Sequence, residues 1–163
     1  MLNRRLIRIK VFKVLYSAVA SGSDSLIEAE KTLMHSCERT LYLYYFMLNS
    51  ALALRNAAAA RIETGLKKFN PTPEERNPNR KFAENRVSAY LADDPRFVKF
   101  CEDHGLTWSD DLAPFIRKTL AALQTREYFR NYMASESRSM EEDCGLFIDI
   151  FSDPELFEDN ADL

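Results

Sequence analysis

Glycine and proline are scarce in this sequence, four and six residues among 163. Four dispersed glycines cannot build the Gly-rich loop with which phosphate-binding enzymes cradle their substrates. No segment alternates cleanly between apolar and polar residues and no stretch repeats, so nothing supports a sheet or an array of repeats. There is no run of about 20 apolar residues, and hence no segment expected to span a membrane. Cys37, Cys101 and Cys144 are odd in number, far apart and never in a Cys-x-x-Cys pair. That usage fits reduced thiols, core or semi-buried, in a cytoplasmic protein. His35 and His104 stand near Cys37 and Cys101, but zinc needs four suitable ligands and side chains two apart on a helix diverge by about 200°. Neither a metal nor a cofactor is therefore expected. The carboxylates of Asp93-Asp94, Asp110-Asp111 and Glu141-Glu142-Asp143 point about 100° apart from neighbour to neighbour on a helix, which suits helix-start charges better than metal pincers. No serine stands in a nucleophile elbow, and an enzyme is not expected.

What is present is 46% hydrophobic and 12% aromatic residues, enough for one sizeable core or two small ones. Leu, Ala, Glu, Lys and Arg are abundant, which favours helix. The expected fold is all-α: a bundle of six to eight helices with a long second helix, one domain over residues 1–163. Its parts are N-terminal helices over 1–69, a Pro-rich loop over 70–80, and shorter helices with an acidic tail over 81–163. The net charge of −3 hides a polarity, because residues 1–20 carry five basic groups and no acid, whereas 135–163 carry ten acids and one Arg.

Apolar spacing at Ile7, Val11, Val14/Leu15 and Ala18 predicts a first helix over 2–20. Arg4, Arg5 and Arg8 share about a third of its circumference, with Asn3 and Lys10 off to one side. Beyond Lys13 the helix is apolar almost all round, so its second half is expected to be buried. A cationic tip on an anchored stem holds guanidiniums rigidly toward an anion, and several spaced guanidiniums suit the repeated phosphates of a nucleic acid. The competing reading is a solvated helix end. A signal peptide is disfavoured because basic and apolar residues interleave.

A second helix is expected over 26–66, continuous or with one break, capped by Ser25 with Glu28. Leu33, Cys37, Leu41, Tyr44/Tyr45, Leu48 and Leu52 form its predicted core-facing stripe. Tyr42, Tyr44, Tyr45 and Phe46 read as core packing, with base stacking as the alternative. The prolines of 70–79 predict an extended loop ringed by Lys67, Lys68, Arg76, Arg80 and Lys81, either a solvated linker or an extra set of phosphate contacts. Shorter helices follow over 81–92, 95–104, 109–122, 126–134 and 138–151. Asp94 and Ser109 are read as caps, Gly105 as a stop, and Trp108 as the pin of a helix junction. The last helix is expected to direct Met140, Cys144, Phe147/Ile148 and Phe151 to one side, leaving an apolar face open to homodimerisation.

Arg4-Arg5-x-x-Arg8 followed by Leu15-Tyr16 resembles the opening motif of the transcription antitermination factor NusB family, Arg-Arg-x-x-Arg-x-x-Ala-x-Gln-x-Leu-Tyr. Val11 stands for the usual Ala, and Lys13 for the usual Gln. Asn77-Pro78-Asn79-Arg80-Lys81-Phe82 resembles a segment of a longer, insertion-containing form of the family. The family's second-half motifs are absent, so the chain reads as an N-terminal portion or as a far-diverged member. The resemblance implies a helical RNA-binding protein for the boxA element of ribosomal leader transcripts, acting with the ribosomal protein also called NusE in the RNA polymerase antitermination complex. On that pattern Arg4, Arg5 and Arg8, with Asn3, Lys13 and Tyr16, face the RNA. The alternative is a helical protein–protein scaffold that binds no RNA.

Overall fold

The structure, a computed structural model, describes residues 3–22, 25–108 and 110–157. Among the described residues it is all-α, with eight α-helices, two short 3-10 turns and no strand. Its contacts cluster in two compact units, Met1–Met47 and Leu48–Leu163.

In the first unit, α1 spans Arg4–Ser21, and Asn3 Oδ1 caps it by accepting from the Leu6 N–H. Gly22 closes it in the left-handed region at φ 66°, where its N–H meets Ala18 and Val19 carbonyls and a Cβ would be strained. Helix α2, Leu26–Leu66, is continuous over 41 residues, and the Ser25 hydroxyl accepts from the Glu28 N–H. Leu6, Lys10, Val14 and Ala18 form a half-buried row on α1, yet no residue of α1 is buried. The expected burial of its second half does not occur, since Leu15, Tyr16 and Val19 are 52, 68 and 80% exposed. The reason is geometric: within its unit α1 has α2 as helical partner, and one helix covers only one stripe of another.

The second unit holds the buried core. Ala51 and Leu54 of α2 meet Phe82, Leu123 and Ile150 there, and the Phe82 ring stands edge-on to Phe129 at 5.2 Å. The stripe expected on α2 is not the buried one: Leu41 and Tyr44 are exposed, and Ser50, Ala51, Leu54 and Gly65 are buried instead. The stretch read as an extended loop contains α3, Pro73–Arg76. Pro73 pushes Thr72 into extended backbone, which is the conformation an N-cap requires. Thr72 and Glu75 then complete a capping box. Helix α4, Arg86–Asp93, starts later than expected because Asn85 Oδ1 accepts from the Val87 and Ser88 N–H groups and fixes the boundary.

Helix α5, Pro95–Asp103, is capped by Asp94 as expected, and Gly105 follows at φ 64°. Helix α6 is Ala113–Leu123, and the Trp108 ring stacks on its Phe115 at 5.6 Å. Ser109, the expected cap, lies outside the described residues. Helices α7, Glu127–Ala134, and α8, Met140–Ser152, complete the unit. On α8 the buried side chains are Asp143, Leu146, Phe147 and Ile150. Met140, Cys144, Ile148 and Phe151, on the apolar side expected to stay open, are exposed, whereas Phe147, expected beside them, is buried. A polar residue sets that rotation: Asp143 turns inward to accept from the Tyr132 hydroxyl at 2.6 Å and the Arg86 N–H at 2.9 Å.

Beside it, Lys81 is 2% exposed. Its ammonium donates to the Tyr132 carbonyl at 2.6 Å, the Ser135 carbonyl at 3.0 Å and Glu142 Oε1 at 3.0 Å, so three donors meet three acceptors. Hydrogen bonds from Ser135 and Lys81 hold the Glu142 carboxyl below its ordinary 4.5. Because folding favours the ionised form, this stabilisation is fully present above pH 4.5 and is lost as pH falls through the lower folded value. Lys81→Met, which strands two carbonyls and a carboxylate, should cost about 3 kcal/mol in a urea melt at neutral pH. Glu142→Gln should lose less stability than wild type on going from about pH 6 to about pH 4.

Candidate nucleic-acid interface

The cap at Asn3 fixes the phase of α1, and the phase decides which side chains meet solvent. Successive steps of four residues advance by about 40° around a helix. Arg4, Arg8, Phe12 and Tyr16 therefore form one slowly turning row on the outer face. All four are exposed, Phe12 and Tyr16 at 69 and 68%. Their rings stack with centroids 6.3 Å apart and planes 23° apart. Arg5 falls between Phe12 and Tyr16 in angle, and Lys13 lies further round; both are exposed.

Five of the six expected RNA-facing residues, Arg4, Arg5, Arg8, Lys13 and Tyr16, thus share a broad outer surface. Asn3 differs, because its side-chain oxygen is taken up by the helix cap. Lys10 differs more: its ammonium turns to α2 and donates to the Ser36 carbonyl at 2.8 Å and hydroxyl at 2.7 Å. Phe12 has no place among the site residues expected from the sequence. The four-residue recurrence Arg4, Arg8, Phe12, Tyr16 is the signal that distinguishes it.

No carboxylate stands on α1. Among the described residues none of Arg4, Arg5, Arg8 and Lys13 has an ion-pair partner. The arginines also sit at the positive end of the helix dipole, which disfavours cations and favours an incoming anion. Spaced guanidiniums can take successive phosphates, and open aromatic faces can take bases.

The second set of expected cations behaves otherwise. Lys68 is ion-paired with Glu75, Arg80 with Glu63 at 3.2 Å, and Lys81 is buried against Glu142. Three of the five cations around 70–80 therefore have internal carboxylate partners, which weighs against the phosphate-contact alternative for this stretch. No group of three or more His, Cys, Asp or Glu side chains among the described residues is placed to hold a metal ion. No helix among them is long and apolar enough to cross a membrane. No protein-family model, curated protein or solved structure matches the chain.

The unfavourable placement of the arginines carries a stability signature. Arg4→Glu and Arg5→Glu should each raise the stability of α1 by about 0.3–1 kcal/mol at low salt, with the gain shrinking as salt is added. Thermal melts at two ionic strengths measure it; a loss of stability would show that the arginines hold the fold rather than await a ligand.

Proposed function

We propose that this chain is a non-catalytic, cytoplasmic RNA-binding protein of transcription antitermination and ribosomal RNA synthesis, related to the NusB family. On this reading it binds single-stranded boxA-type RNA through α1 and acts with the ribosomal protein NusE at RNA polymerase. The observation that carries the proposal is the exposed row Arg4, Arg8, Phe12, Tyr16 with Arg5 and Lys13 beside it: cations without carboxylate partners followed by exposed aromatic rings on a helix free of acid. Phosphates supply the salt-dependent part of such binding, and bases stacked on Phe12 and Tyr16 supply a part that salt affects little. The NusB relation is supported by Arg4, Arg5, Arg8, Leu15 and Tyr16.

A second reading, a helical interaction scaffold without RNA, is favoured by the apolar exposure of the same unit, where Val19 and Leu26 are 80 and 77% exposed. A salt series of RNA affinities separates the two. Replacing Arg4 and Arg8 by Ala should flatten the dependence of log affinity on log salt by about 0.7 per lost contact, with folding changed by about 0.5 kcal/mol or less. Phe12→Ala and Tyr16→Ala should each weaken binding by about 1–3 kcal/mol at every salt concentration, leaving the slope alone. Coinciding slopes for wild type and the arginine variant, with both folded, would leave the scaffold reading in possession.

A further inference from the structure

The hairpin of α1 and the early part of α2 has a groove on each side. One is lined by Leu6, Ile9 and Val14 together with Lys10, Lys13 and Ser36. The opposite groove, ≈ 270 Å³, is lined by Val11, Leu15, Leu26 and Leu33 among others, with Glu30 as its charged member. Val11 and Leu15 line it from α1, Ile7 and Val19 continue their four-residue recurrence to either side of it, and Ile7, Leu15, Val19 and Leu26 are exposed at 39, 52, 80 and 77%. Arg8 falls between Leu15 and Val19 in angle and so borders the same side.

The two helices run antiparallel, with Lys10 level with Ser36. Counting from that contact, Glu30 lies about eight residues, or about 12 Å, further along the hairpin than Arg8. Among the described residues neither Arg8 nor Glu30 has an ion-pair partner. One hairpin thus presents an apolar groove with a positive group toward one end and a negative group toward the other. A two-fold axis near Val11 and Leu33 exchanges the ends. It sets groove on groove and brings each arginine level with the other copy's glutamate.

We propose that this face binds a second copy of the chain, antiparallel and two-fold symmetric, with Leu15, Val19 and Leu26 packed in the interface and Arg8 of each copy paired with Glu30 of the other. The pairing gives α1 the buried side chains it lacks within one chain. It rests on the hairpin alone and needs no RNA. Sedimentation of the full chain without nucleic acid, across a range from about 1 to about 200 μM, tests it. Wild type is expected to dimerise, and Leu26→Glu to raise the dimer dissociation constant by about 100-fold. Arg8→Glu and Glu30→Arg should each raise it by about tenfold, and the double variant should return to within about threefold of wild type. That recovery also excludes misfolding as the cause of the single losses. Glu30→Arg keeps every cation of the outer row, so it should weaken dimerisation by that factor while sparing RNA affinity measured at protein concentrations where the wild type is monomeric, which separates this proposal from the RNA reading. A monomeric wild type throughout, a dimer indifferent to the reversals, or a double variant that fails to recover would each overturn it.

Discussion

The second unit depends on one ammonium group. Lys81 gives up its hydration to enter the core, and an unpaired charge there would be untenable. Its three protons end on two carbonyls and one carboxylate, which joins the turn before α4 to the end of α7 and the start of α8. Beside it, Asn85 donates to the Tyr132 hydroxyl at 3.2 Å, and that hydroxyl donates to Asp143. Burial and the Asp143 hydrogen bond push the Tyr132 hydroxyl well above the usual range, so it stays protonated as the donor this chain of contacts requires. The apolar core around Phe82 supplies cohesion, and the polar chain supplies direction, because hydrogen bonds discriminate between rotations of α8 that apolar packing would tolerate alike.

That division explains what could be read in the sequence. Fold class followed from composition and from the few glycines and prolines, and the Asp94 cap and the stop at Gly105 followed from local chemistry. The side of α8 that packs could not be read this way. Asp143, Leu146, Phe147 and Ile150 are buried, and only the partners of Asp143, 57 residues away at Arg86 and 11 away at Tyr132, turn that side inward. Lys81 misled in the same manner: a lysine beside a proline-rich stretch reads as solvated, and its acceptors are distant in sequence. The 70–79 stretch failed differently, since proline was taken as a breaker although at Pro73 it begins a helix.

The arginine tip was legible because it needs nothing beyond α1 itself. Helical angle and absence of acid place Arg4, Arg5 and Arg8 on one outer surface, and no tertiary contact overrides them. The burial assigned to the rest of α1 required knowing how many neighbours the helix has, and periodicity does not count neighbours. Phe12 and Tyr16 accordingly stand in solvent, so that the outer surface carries the ring of Phe12 beside that of Tyr16.

The acid-free character of α1 has a consequence for control. Apart from Tyr16, its ionisable side chains are arginine and lysine, with no histidine, cysteine or carboxylate among them. Such a helix presents charge of one sign, and nothing on it offers an anion an internal competitor. Competing anions in solution and the thickness of the ionic atmosphere, about 8 Å at physiological salt, modulate its field. Occupancy of this surface is decided by the company it keeps in solution.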